Sequence, residues 1–187
     1  MNVESAELFF AILAILAAVI AVSAALPWLV TSWRTAVWET LEPIRLPLAA
    51  AITATAMVGS LYFSEVANFT PCTLCWYQRI LMYPSAIILT IAAIRRDVHV
   101  RRYVLPLVGL GMLVSTYHYL VERFPDVFES SEVCKLGIPC SQVWFERFGF
   151  VSLPLMALVG FGATVSLLAI PITTPSASPA APQEESA

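Results

Sequence analysis

The chain has 187 residues, 59% of them apolar and only 12% charged, with a mean hydropathy of +0.79. A soluble domain carries about 25% charged residues, so this composition excludes a water-soluble fold and points to an all-α integral membrane protein. The formal net charge is −3, and no basic cluster tracks a phosphate backbone, which excludes nucleic acid as a partner.

Crossing a bilayer takes roughly 20 apolar residues. Five runs meet or approach that length, at 8–30, 46–64, 76–94, 103–121 and 148–170. The first run is flanked by Glu4 and Glu7 rather than by the basic residues of a secretory leader, and its 23 uncharged residues are long for a leader's apolar core. It reads as a retained transmembrane helix that enters from outside. Residues 31–45 set Arg34 and Arg45 against Glu39 and Glu42, with Trp28, Trp33 and Trp38 in and just before this stretch. That mixture suits an amphipathic segment at the level of the lipid headgroups. Pro43 and Pro47 bracket the entry to the second run.

The connection at 65–75 carries one acid and no base, whereas the loop after the third run holds Arg95, Arg96, Arg101 and Arg102. Positively charged loops stay in the cytoplasm. One span away in either direction, the connection with Cys72 and Cys75 and the loop at 122–147 with Cys134 and Cys140 then lie outside. The outer loop agrees, with Glu122, Asp126, Glu129, Glu132 and Glu146 against Arg123, Lys135 and Arg147. The expected topology has the N-terminus out, the C-terminus cytoplasmic and all four cysteines facing the oxidising compartment. The Pro/Ser/Ala-rich tail, 171–187, has too little apolar content to fold.

Cysteines exposed to an oxidising compartment form disulfides, either as staples or as redox centres. Cys75 directly precedes the third run, where a helix N-terminus favours an anion, and Gln78 and Arg79 project from the same face at i+3 and i+4. Both influences favour a thiolate, which stabilises the reduced pair and makes the disulfide more oxidising. Staples lie below about −300 mV and dithiol oxidases near about −120 mV, a gap of roughly 8 kcal/mol. Arg79, a charge inside a span, reads either as a functional group or as a snorkelling side chain that reaches lipid phosphate. His118 lies at about the same depth, on a helix joined to the third by a short loop and so antiparallel to it. It could donate to a carbonyl oxygen or relay a proton, or it could face headgroups beside Tyr117 and Tyr119. Between Cys134 and Cys140, Gly137 and Pro139 can turn the chain back and bring the sulfurs together. Zinc is disfavoured, since C-x5-C is not a usual zinc spacing and oxidation removes thiolate ligands.

Cys72-Thr73-Leu74-Cys75-Trp76-Tyr77-Gln78-Arg79 entering a membrane helix resembles the signature of the disulfide bond formation protein B (DsbB) family. Cys134 followed by Gly137-Ile138-Pro139-Cys140, and Tyr117-His118-Tyr119, resemble its BdbC-like branch. The resemblance covers roughly 46–170 and implies a four-helix transmembrane bundle there, with 1–45 as an additional N-terminal transmembrane helix and interfacial segment. It implies an enzyme that reoxidises an extracytoplasmic thioredoxin-fold thiol oxidase and passes the electrons to quinone, ubiquinone or menaquinone, in the cell membrane. Cys134 would form the mixed disulfide with that partner and Cys140 would be its loop mate. Cys72 would exchange with the loop cysteines and Cys75 would pass electrons to quinone, beside Arg79, with Gln78 and His118 as neighbours. The chain departs from the family's pattern in its first helix, and from the better-known branch in the close spacing of its loop cysteines. Two other readings share some of these features: an enzyme resembling the vitamin K epoxide reductase family, and a non-catalytic membrane protein stapled by two disulfides. A motif that follows a proline and opens a helix before Trp-x-Gln-Arg favours DsbB over the former.

Overall fold

The computed structural model describes residues 2–30, 32, 34–128 and 138–171. Cys134 and nearly all of the expected disordered tail lie outside them. Every apolar run contains a helix, and the local chemistry explains most of the boundaries. Asn2 accepts the Ser5 amide at 2.9 Å and opens α1 (Val3–Ala25), with Glu4 in the first turn at the positive end of the helix dipole. A 3-10 turn at Leu26–Trp28 ends it. The short α2 (Arg34–Leu41) follows, with Arg34 over the Trp38 ring and Trp38 against Trp28. A second 3-10 turn, Glu42–Ile44, leads without a break into α3 (Arg45–Glu65).

Cys72 caps α4 (Thr73–Arg95), which stops where Arg96 turns left-handed at φ 55° and its amide returns to the carbonyls of Ala92 and Ala93. After a 3-10 turn at Val98–Val100 come α5 (Arg101–Arg123) and the one-turn α6 (Pro125–Phe128). The last helix, α7 (Leu153–Ala169), begins five residues later than the apolar run at 148–170 suggested. Arg147 and Val151 pair instead across a tight turn in which Phe148 and Gly149 have positive φ, and Pro154 then starts the helix.

Among the described residues, four helical stretches are long and apolar enough to cross a membrane: Val3–Trp28, Arg34–Glu65, Thr73–Arg95 and Val98–Arg123. The 17 residues of α7 span about 26 Å at 1.5 Å per residue, close to the hydrocarbon thickness of about 30 Å. The chain is a multi-pass membrane protein. Its core is a ring of four helices in which α3 and α5 each lie against both α4 and α7, while α1 lies outside the ring along α7.

Lipid tails are as apolar as leucine, so helices in a bilayer associate through close packing rather than through escape from water. The contact of α5 with α7 depends on this: the fully buried Phe161 ring fills the space that Gly111 leaves by having no side chain. At the other end of α7, the buried Arg45 donates to the Ile170 carbonyl at 2.8 Å, placing a cation at the negative end of that helix. The opposite end of the bundle is joined by aromatic rings. Trp144 stacks on Phe69, and Phe69 on Phe63, with centroids 5.0 and 5.7 Å apart. Phe10 of α1 joins the same cluster at 5.5 Å from Phe63.

A Cβ at position 111 would collide with the Phe161 ring, whereas one at position 109 would meet nothing within 4 Å. Gly111→Ala is therefore expected to destabilise the protein by about 1–3 kcal/mol. Gly109→Ala should leave stability unchanged or raise it by up to about 1 kcal/mol. Thermal unfolding of the two variants in detergent separates these outcomes; equal melting temperatures would refute the Gly111–Phe161 contact.

Candidate active site

The helix carrying the cysteine pair starts three residues earlier than the apolar run suggests, and this changes which sulfur it serves. Cys72, in extended backbone (φ −73°, ψ 174°), becomes the cap itself, its Sγ accepting the Cys75 amide at 3.3 Å. The free N–H groups and positive dipole end of α4 therefore act on Cys72 rather than on Cys75. Both thiols are free, and their sulfurs lie 3.0 Å apart. The two sulfurs are in direct contact. Cys72 lies just outside the span, and its thiol is pulled down to about 4. The main cause is the Cys75 thiol donating to it; burial opposes this and His118 reinforces it.

His118 is buried, with 3% of its surface exposed, and faces sulfur rather than headgroups. Its Nε2 lies 3.6 Å from Cys72 Sγ and 3.2 Å from the Cys140 carbonyl oxygen, and its Nδ1 lies 3.2 Å from Gln78 Nε2. An amide N–H can only donate, so Nδ1 is the acceptor and the ring proton sits on Nε2, facing both the thiolate and the loop carbonyl. Cys140 is disulfide-bonded and 1% exposed. It shares one buried cluster with Cys72, Leu74 and Val121.

Arg79 turns the other way. Successive residues on a helix point about 100° apart, so where Gln78 meets His118 on α5, Arg79 donates to the Ser60 carbonyl of α3 at 3.0 Å. Its guanidinium also covers the Trp76 ring at 5.4 Å, and Tyr83 donates to Ser60 Oγ at 3.2 Å. These contacts hold the charge against α3 and the Trp76 ring. Cys75, Gln78 and Arg79 all line one cavity of about 270 Å³. Cys72 does not line it, but with Cys75, His118, Glu122 and Ser152 it borders a separate space of about 10 Å³, roughly the room one water needs. The dithiol stands between the two chambers.

The structure thus brings Cys72, Cys75, Gln78, His118 and Cys140 together and sets Arg79 one face away, while Cys134 is outside the described residues. Sequence reasoning missed Ser60, whose carbonyl fixes Arg79, and Glu122. Counted there among the outer-loop acids, Glu122 instead occupies the last turn of α5, is 8% exposed and has no partner for Oε1 among the described residues. Its position at i+4 from His118 was the available signal.

Three comparisons bear on this arrangement. Residues 44–171 match the family described as "Disulfide bond formation protein DsbB". "Disulfide bond formation protein C" of Bacillus subtilis (strain 168) is 49% identical over 106 residues, which cover 57% of this chain and 76% of that protein. "Probable disulfide formation protein C" of Halalkalibacterium halodurans is 45% identical over 117 residues, 62% of this chain and 85% of that protein. No solved structure matches the chain.

The depressed acidity of Cys72 sets a pH window. The free thiol titrates at about 8.5. The thiolate's contribution to the stability of the reduced fold is therefore complete above that value and is lost as pH falls through about 4. Alkylation of reduced Cys72 by iodoacetamide, followed by mass spectrometry, is expected to stay level from neutral pH down and to halve near pH 4. A midpoint near the free-thiol value would show that the cap does not hold a thiolate.

Proposed function

The chain belongs to the DsbB family of disulfide bond formation proteins, and on that premise we propose that it is a membrane thiol:quinone oxidoreductase. It reoxidises an extracytoplasmic thioredoxin-fold thiol oxidase and passes the electrons to ubiquinone or menaquinone. The observation that carries this reading is the two-sided dithiol: Cys72 is buried with Cys140, and Cys75 opens on the larger cavity. Disulfide formation is what the relatives' names describe for those proteins, and a reduced pair beside an oxidised loop cysteine is an arrangement suited to it.

In this scheme a thiolate of the reduced partner attacks Cys134 and displaces Cys140, and the partner's second thiol then releases the oxidised partner. Cys140 next attacks the oxidised Cys72–Cys75 bond at Cys72, and Cys134 completes the exchange, which restores the loop disulfide and leaves Cys72 and Cys75 reduced. His118 holds its Nε2 proton toward Cys72 Sγ and stabilises the negative charge released there when Cys134 completes the exchange. The cavity fits a quinone: it is lined mainly by apolar side chains and has Arg79, Gln78 and Cys75 among its polar groups. A bound quinone supplies an acceptor for two electrons and two protons. Gln78 and Arg79 would hold its carbonyl oxygens, and the Ser60 contact keeps Arg79 from following solvent or lipid. The arginine-rich loop between α4 and α5 is cytoplasmic in this reading, with the cysteines outside the cell membrane and lipid around the bundle.

Purified Cys75→Ser protein is expected to form the mixed disulfide with a reduced thioredoxin-fold oxidase yet reduce no quinone; quinone reduction at the wild-type rate would overturn the scheme. Arg79→Ala removes a charged donor worth about 1.5–3 kcal/mol, so the quinone KM should rise roughly 10- to 100-fold with the KM for the protein partner unchanged. An unchanged quinone KM in steady-state assays would remove Arg79 from the site.

A further inference from the structure

Helix α1 lies outside the residues that match the family, which begin at 44, yet it forms one wall of the cavity beside the dithiol. Phe10, Leu13, Ala14, Ala17 and Ile20 all line that cavity. Spaced three and four apart, they make a single helix face, with the exposed Leu16 at its edge. The opposite face, with Ile12, Ile15, Val19 and Val22, is exposed on the protein surface, where lipid would lie. From Phe10 to Ile20 the wall runs about 15 Å at 1.5 Å per residue. Across from it, α3 lines the cavity from Phe63 to Leu48, about 22 Å on the same scale. The polar groups of α4 that border it, Cys75, Gln78 and Arg79, all lie in the first two turns of that helix. The cavity therefore starts at the dithiol and continues down the bundle as an apolar passage much longer than a quinone ring.

The seating of α1 is consistent with a built wall. Near its outer end Glu7 accepts Arg147 at 2.7 Å. One turn further in, the Phe10 ring lies so close to Gly59 that a Cβ there would stand 2.8 Å from it. Below this anchor the residues that face the passage include Ala14 and Ala17, whose small side chains leave it open. The four-helix core alone would leave that side open to the bilayer.

We propose that α1 walls one side of the quinone site, making a channel for the isoprenoid tail, and determines which tails the enzyme accepts. The inference rests on the quinone reading above. It concerns the tail and not the ring, so the two can fail separately.

The test is equilibrium binding to the full chain in nanodiscs, read by quenching of tryptophan fluorescence. The probes are duroquinone, which has no tail, and a quinone with a long isoprenoid tail. Ala14→Phe fills the passage below the ring site and should raise the Kd of the tailed quinone roughly tenfold, with that of duroquinone unchanged. Val19→Phe, on the exposed face, should change neither. Ala14→Leu should give a smaller change in the same direction, and serves if the phenylalanine variant does not fold. Equal weakening of both quinones, or of neither, overturns the channel while leaving the quinone site intact. Wild-type protein that binds neither quinone overturns the parent reading and the channel with it.

Discussion

A thiolate buried at the mouth of a membrane helix persists only if donors surround it, because an unpaired charge in a low-dielectric setting is very costly. Around Cys72 there are three: the Cys75 amide, the Cys75 thiol and the His118 ring N–H. Each donor imposes a requirement on the fold. The amide requires that the helix begin at Thr73, so that Cys72 can cap it. The thiol requires the C-x-x-C spacing, which brings Cys75 back over its own cap. The imidazole requires α5 to run antiparallel to α4 at a fixed depth, and Gln78 to hold Nδ1 so that the proton stays on Nε2. The bundle can be read as the scaffold that keeps these three groups converged on one sulfur.

The four-helix ring and the extra helix serve that convergence differently. Within the ring, the buried Arg45–Ile170 contact ties the start of α3 to the end of α7, and Phe161 against Gly111 sets how closely α5 and α7 approach. At the other end, the rings of Phe63, Phe69, Trp144 and Phe145 cover the returning chain, so the segment after Cys140 is seated by stacking rather than by regular structure. Helix α1 joins through Phe10 and Glu7 at that same end. The dithiol, the loop cysteine and the extra helix therefore meet at one rim of the molecule, and the long cavity opens beneath it.

Much of this was legible from residue order alone. Apolar length located the helices, because a bilayer admits little else, and the motif stood out because two cysteines, a glutamine and an arginine lie within eight residues. The start of α4 was not legible: Thr73 and Leu74 look like connection, and only the cap geometry shows that helix begins there, which moved the dipole's effect from Cys75 to Cys72. Nor was the division of labour between Gln78 and Arg79, adjacent residues whose roles depend on which helices flank α4. Glu122 was misplaced because a charge near a helix end counts as loop until its burial is seen. The cavity wall formed by α1 depends on tertiary placement, since an all-apolar helix carries no mark of which face meets protein and which meets lipid.

The hydrogen on His118 Nε2 has two claimants, Cys72 Sγ at 3.6 Å and the Cys140 carbonyl at 3.2 Å. One N–H cannot serve both at full strength, and in this state the carbonyl is the nearer. Any departure of the Cys140 segment frees the imidazole for sulfur alone. Position and charge are thereby coupled. A backbone carbonyl, which exchanges no electrons, thus ties the charge held at Cys72 to the position of Cys140.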